Sequence, residues 1–222
     1  MLSISGPTAV GKTECSLQIA EHFKTEIISC DSRQMYKEMK IGTAVPDEAE
    51  LQRVKHHFIG KLSIHDYYNA SMFEQDIVKL SSKLFENHDL LIMVGGSGMY
   101  LDAVLYGIDD IPDPDMKIRE RLIQQHESEG LSPLLAQLKT LDPLAYQRID
   151  KNNPKRVIRA VEVCLSSGKP FSSFHTRQIK SRDFEILMLG LEIPRETLYQ
   201  RIDKRIDIML EQGLEDEARK LY

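Results

Sequence analysis

Gly6-Pro7-Thr8-Ala9-Val10-Gly11-Lys12-Thr13 fits the pattern G-x-x-x-x-G-K-[ST] at every fixed position. It stands between an apolar start, Leu2 and Ile4, and a helix-like run from Glu14 to His22. A strand, a glycine loop and a helix in that order make a phosphate cradle. The glycines let backbone N–H groups turn inward around the anion, and the positive end of the helix dipole adds to them. Lys12 brings a mobile positive charge, and Thr13 a hydroxyl suited to Mg²⁺. The motif specifies polyphosphate and leaves open what the phosphate is attached to.

Outward from this loop, short apolar runs alternate with helical patterns, which reads as an α/β fold with a parallel sheet flanked by helices. Strands are expected at Leu2–Ser5, Glu26–Ser29, His57–Leu62, Leu90–Val94 and Glu185–Leu191, and helices at Thr13–Phe23, Ser71–Asn87 and Met99–Tyr106. Between roughly Pro112 and Arg182 the pattern turns wholly helical. Ile111-Pro112-Asp113-Pro114-Asp115 is a stiff entry, because its prolines disfavour helix until Met116. Helices are then expected at Met116–Glu129, Pro133–Thr140, Pro143–Ile149 and Pro154–Ser166, several opened by proline in the first turn. An apolar strand returns afterwards, so residues 112–182 read as a helical insertion and residues 1–111 with 183–222 as the core domain. The final stretch, Arg195 to Tyr222, keeps a helical period broken at Gly213.

The chain has 222 residues, 41% of them hydrophobic and 28% charged, as in an ordinary globular protein. No run approaches the length of a membrane span, and no secretory leader pattern is visible. Cys15, Cys30 and Cys164 are scattered, without metal-ligand spacing. They read as small apolar side chains in a reducing cytoplasm, not as a disulfide framework or zinc site. The formal net charge of −5 argues against a wholly basic nucleic-acid binder, so such a role needs a local patch.

One patch exists. From Arg148 to Arg182 there are nine basic residues (Arg148, Lys151, Lys155, Arg156, Arg159, Lys169, Arg177, Lys180 and Arg182) against Asp150 and Glu162. Arg156 and Arg159 share a helical face. The run suits a polyanionic partner, or is simply a solvated face. Asp31, in Asp31-Ser32-Arg33-Gln34-Met35-Tyr36, should point from a strand end toward the phosphate loop. It reads either as a general base or Mg²⁺ holder, or as a helix cap. His56-His57, without further ligands, reads as structural. Gly95-Gly96-Ser97-Gly98 ends a strand where a hydrolytic nucleotide site would often carry an acidic residue; the glycines admit a second backbone or a flat ligand. Arg201 and Arg205 lie one helical turn apart, where a guanidinium could neutralise a departing phosphate, or pair with Asp203, Asp207 or Glu211.

Taken in order, GPTAVGKT (6–13), DSRQMY (31–36), IGTAVP (41–46), GGSGMY (95–100), RIDKNNPKRVIRAVEV (148–163) and RIDKRIDIMLEQGLEDE (201–217) closely resemble the tRNA dimethylallyltransferases, also called tRNA isopentenyltransferases. The resemblance implies a nucleotide-hydrolase-like phosphate-loop fold. It also implies transfer of a dimethylallyl group from dimethylallyl diphosphate to N6 of adenosine 37, with Mg²⁺ as cofactor and tRNA as partner. Residues 6–13 would then hold diphosphate, with Thr13 at the Mg²⁺. Asp31 would take a proton from N6, and Lys12 and Arg201 would neutralise the leaving group. Ser32, Arg33, Gln34 and Ser97, with Asp31, would contact tRNA near the target, and Arg119, Arg156 and Arg159 would grip the anticodon stem-loop. Relatives commonly carry Thr at the position of Ser97 and continue past Tyr222 with further helices. A cytoplasmic monomer without membrane partners is expected. Competing readings are a small-molecule kinase using ATP, an adenylate dimethylallyltransferase and a non-catalytic RNA-binding relative.

Overall fold

The computed structural model describes residues 1–176 and 178–222, so Arg177 of the basic segment lies outside the described residues. The chain divides into two compact units, 1–108 with 180–222 and 109–179. The boundaries expected from sequence were 111/112 and 182/183.

The first unit is built on a five-stranded sheet in the order β3-β2-β4-β1-β5, every neighbouring pair parallel. The strands are β1 (Leu2–Ser5), β2 (Ile27–Ser29), β3 (His56–His57), β4 (Ile92–Val94) and β5 (Leu187–Gly190). Successive side chains leave a strand on opposite faces. Thus Ile27 and Ile92 pack with Leu17 and Ala20 of helix α1 (Lys12–Phe23) on one side. Ile28 and Met93 pack on the other with Phe73 and Ile77 of α3 (Ala70–Leu84) and Tyr100 and Val104 of α4 (Gly98–Leu105). Both faces are covered over β2 and β4, which explains why Ile27-Ile28 and Ile92-Met93-Val94 read as apolar runs.

β3 is shorter than the expected His57–Leu62. Phe58 (φ 64°) and Gly60 (φ 55°) turn the chain out of the pleat, and Leu62 makes only an isolated bridge to Tyr36. A short helix, α2 (Glu48–Arg53), was not expected. It buries no side chain but is closed by a capping box: Asp47 Oδ1 accepts the Glu50 N–H (2.8 Å) and Glu50 Oε2 accepts the Asp47 N–H (2.9 Å). After β5 the chain forms α9 (Arg195–Glu211) and α10 (Leu214–Leu221). Gly213 between them sits at φ 95°, in the left-handed region a side chain would strain.

The second unit is helical: α5 (Met116–Glu129), α6 (Ser132–Leu141), α7 (Pro143–Arg148) and α8 (Pro154–Ser167), then a 3-10 turn, Phe171–Phe174. Asp115, Asp142 and Asn153 cap α5, α7 and α8 through their side chains. Leu122, Leu134, Leu138, Val157 and Val161 form a core of its own.

Candidate active site

Residues 6–13 cross from the C-terminal end of β1 to α1, and all but the buried Val10 line a cleft of about 1370 Å³ in the first unit. Gly6 is at φ 149°, and a Cβ there would meet the Leu191 carbonyl at 2.8 Å, so the tight turn requires glycine. Lys12 Nζ donates to the carbonyls of Gly6 and Pro7, both at 2.8 Å, and so holds the loop that it serves. Burial first, then the neighbouring Arg205, push the Lys12 ammonium below its ordinary value, with Asp31 acting the other way. Thr13 lines the cleft, and its hydroxyl makes no hydrogen bond among the described residues.

Asp31 follows β2 and lines the same cleft. It caps no helix. Its Oδ1 accepts the backbone N–H groups of Arg33 (2.9 Å) and Gln34 (3.3 Å), which fixes the carboxylate on a tight turn. Its second oxygen makes no hydrogen bond among the described residues. Burial, and then the charges of Asp31 and Asp102, push the adjacent Cys30 thiol up to about 12, so Cys30 stays protonated and unreactive. Cys164 is buried as expected, whereas Cys15 is partly exposed.

The glycines after β4 admit a second backbone. A Cβ on Gly95 would overlap the Cys30 carbonyl, so the ends of β4 and β2 meet without room for a side chain. Two residues further on, Ser97 Oγ accepts the Ser32 N–H (2.9 Å) and donates to the Ser32 hydroxyl (3.0 Å). Gln34 is equally engaged. Its side-chain amide donates to the carbonyls of Thr43 (3.1 Å) and Ala44 (3.0 Å) and accepts from Ser29 Oγ (3.1 Å). Of the four residues 31–34 expected at a nucleic acid, Arg33 is the exposed one. Ser32, Gln34 and Ser97 build the wall around Asp31. His57 pairs with Glu26 (2.5 Å) and His56 with the Val54 carbonyl (2.8 Å), as the structural reading of that pair supposed.

On α9, neither Arg201 nor Arg205 pairs along its own helix among the described residues. Arg201 Nη1 donates to the Val10 carbonyl (3.3 Å) and grips the outside of the phosphate loop. Arg205, half-buried one turn on, lines the cleft near Lys12 and Asp31. The inward-facing guanidinium is therefore Arg205, while Arg201, expected there, supports the loop. α9 packs through a face with no fully buried side chain, and periodicity alone could not say which arginine faces in.

In the second unit the expected RNA-contacting arginines divide. Arg119 and Arg159 turn onto Glu162, which is fully buried, at 2.8 and 3.1 Å. Arg159 also donates to the Pro112 carbonyl (2.5 Å). Arg156 is exposed, as are Arg148, Lys151, Lys155 and Lys169. In the first unit, Arg182 and Lys180 lie on buried Glu74 at 2.7 and 3.5 Å, so these two cations of the basic run are partnered.

A family model described as IPP transferase matches residues 34–222. The chain is 50% identical to tRNA dimethylallyltransferase 1 of Phocaeicola vulgatus and 52% identical to tRNA dimethylallyltransferase 2 of Parabacteroides distasonis. In both comparisons the whole chain aligns, with 74% of the relative. Among solved structures it is similar to a eukaryotic dimethylallyltransferase acting on tRNA, with a TM-score of 0.82 at 29% identity. That match covers 100% of this chain and 55% of the other. It is also similar to the tRNA isopentenylpyrophosphate transferase of Bacillus halodurans, with a TM-score of 0.63 at 35% identity, covering 100% and 69%.

Proposed function

The chain belongs to the IPP transferase family, and we propose that it transfers a dimethylallyl group from dimethylallyl diphosphate to N6 of adenosine 37 in tRNA. One observation carries this reading. Lys12, Arg205 and Asp31 line one cleft with the phosphate loop, so two cations and a carboxylate share the same space of about 1370 Å³.

In the proposed reaction the N6 lone pair attacks C1 of the donor. The C1–O bond breaks, and its electron pair leaves on the diphosphate oxygen. The proton released from N6 passes to the unengaged oxygen of Asp31. An aryl amine is a weak nucleophile, so positioning and stabilisation of the leaving group supply most of the acceleration. The loop N–H groups, Lys12 and Arg205 serve the diphosphate, where negative charge grows as the bond breaks. Arg201 holds the Val10 carbonyl and keeps that loop in shape.

Mg²⁺ fits this site. The Thr13 hydroxyl is unengaged in the cleft, and no group of three or more acidic, histidine or cysteine side chains suited to a metal occurs among the described residues. An ion there would draw its other ligands from diphosphate and water, as Mg²⁺ commonly does. When bound it would supply charge neutralisation at the diphosphate.

The acceptor base must leave its stack to reach Asp31, at a cost of a few kcal/mol. The exposed cations Arg148, Lys151, Lys155, Arg156 and Lys169 of the second unit supply phosphate contacts that offset it. A kinase is the weaker reading, because the β4 end carries Gly95, Gly96 and Ser97 where Mg²⁺–ATP chemistry would use an acid. No helix among the described residues is long and apolar enough to cross a membrane. We place the activity with tRNA in the cytoplasm, with one chain supplying every group named.

Asp31→Asn tests the base assignment. Prenyl transfer should fall about 100- to 10,000-fold while dimethylallyl diphosphate binds as before. Transfer at the wild-type rate would remove Asp31 from the reaction.

A further inference from the structure

Glu217 lies 175 residues from Gly42 in the chain, yet its carboxylate receives three consecutive backbone N–H groups. Oε2 accepts from Lys40 (2.9 Å) and Ile41 (2.8 Å), and Oε1 from Gly42 (2.9 Å). Burial opposes the charged form, but these bonds outweigh it and hold the carboxyl below its ordinary value. Leu214, one turn earlier on α10, packs so closely that a Cβ on Gly42 would meet its Cδ1 at 3.1 Å. Leu214, Glu217 and Leu221 form the partly buried face of a helix whose other residues are exposed.

What the carboxylate holds is the wall of the cleft. The Lys40–Gly42 turn continues to Thr43 and Ala44, whose carbonyls receive the Gln34 side-chain amide. Gln34 donates its own backbone N–H to Asp31 Oδ1. Ala44, at φ 47°, is strained for a residue with a side chain and needs such external support. At the other end, the preceding helix α9 touches the phosphate loop through Arg201. The α9–α10 pair thus contacts the donor cradle with one helix and the acceptor wall with the other.

We propose that Glu217 is a positioning residue for the transfer reaction: through the 40–44 turn and Gln34 it sets where Asp31 stands relative to the phosphate loop. This rests on the function proposed above. Glu217 touches neither substrate; it acts through the turn.

The test compares Glu217→Ala and Glu217→Gln with Glu215→Ala, an exposed neighbour on the same helix. Three readouts are taken: amide hydrogen exchange, equilibrium binding of dimethylallyl diphosphate, and steady-state transfer to an anticodon stem-loop. Glutamine keeps the shape but turns an N–H group toward donors, so it should also fail to hold the turn. Both Glu217 variants should lose exchange protection across 40–44 and also across 31–34. Their kcat/KM for the stem-loop should fall about 10- to 100-fold, with donor affinity unchanged within twofold. Glu215→Ala should match wild type throughout. Exchange confined to 40–42 with unchanged transfer would overturn the inference, as would donor affinity falling in parallel with transfer. A wild-type protein that transfers nothing would refute the proposed function, while the exchange pattern at 31–34 would still decide what Glu217 holds.

Discussion

Gly95 lies directly against the carbonyl of Cys30, so the C-terminal ends of β4 and β2 touch backbone to backbone one residue before Asp31. This contact explains a glycine where a nucleotide hydrolase would often have an acid. The space that a side chain would need is already filled by the neighbouring strand. The same closeness lets Ser97 reach the Ser32 N–H and fix the turn that carries Asp31.

Gly95→Ala should therefore be disproportionately harmful for the addition of one methyl group. The new carbon can be fitted only by pushing β2 away from β4, an overpacking cost of about 1–3 kcal/mol. Denaturant unfolding should show that loss, and transfer should fall further than the stability change explains, because Asp31 moves with β2.

Donor affinity should depend on pH through Lys12. Its ammonium is shifted below the ordinary 10.5 by burial and by Arg205. The protonated form is the one that holds diphosphate, and bound diphosphate in turn favours that form. Affinity should thus decline as pH rises through the lowered pKa of the free protein, before 10.5 is reached. Lys12→Ala should weaken binding at pH 7 by about 2 kcal/mol, and should abolish the alkaline decline. Calorimetric titration across pH measures both.

The basic face of the second unit should separate two arginines three residues apart. Arg156→Ala should leave stability within about 0.5 kcal/mol, weaken stem-loop binding, and reduce the salt slope by about one unit. Arg159→Ala leaves buried Glu162 with Arg119 alone, and should cost about 3 kcal/mol of stability. Equal effects of the two changes on stability would contradict this division of roles.

How far the sequence could be read depended on how local the cause was. The strand cores around Ile4, Ile28 and Met93 and the start of α5 at Met116 were legible, because apolar runs and prolines act within a few residues. The phosphate loop was legible for the same reason. Helix α2 was not, since it buries nothing and leaves no apolar period; its Asp47–Glu50 box was the available signal. β3 ended early because a phenylalanine, Phe58, takes a positive φ that its residue type does not announce.

The site divided along the same line. Asp31, Lys12 and Thr13 fall in the cleft because the ends of β1 and β2 must lie on one edge of a parallel sheet. Which of Arg201 and Arg205 lines the cleft depends on how α9 is rotated against the loop. The inward turn of Arg119 needs Glu162, 43 residues away, and the Glu217 contact spans 175 to 177 residues. No local pattern could have paired them.

The most direct test of the central claim is transfer of label from dimethylallyl diphosphate in the presence of Mg²⁺. The acceptor is an anticodon stem-loop with adenosine at the target position, and AMP and ATP serve as parallel acceptors. Label should appear on the RNA, be lost when the target adenosine is replaced by guanosine, and be absent from AMP and ATP. Label on the free nucleotides alone, or phosphate transfer from ATP in place of prenyl transfer, would contradict it.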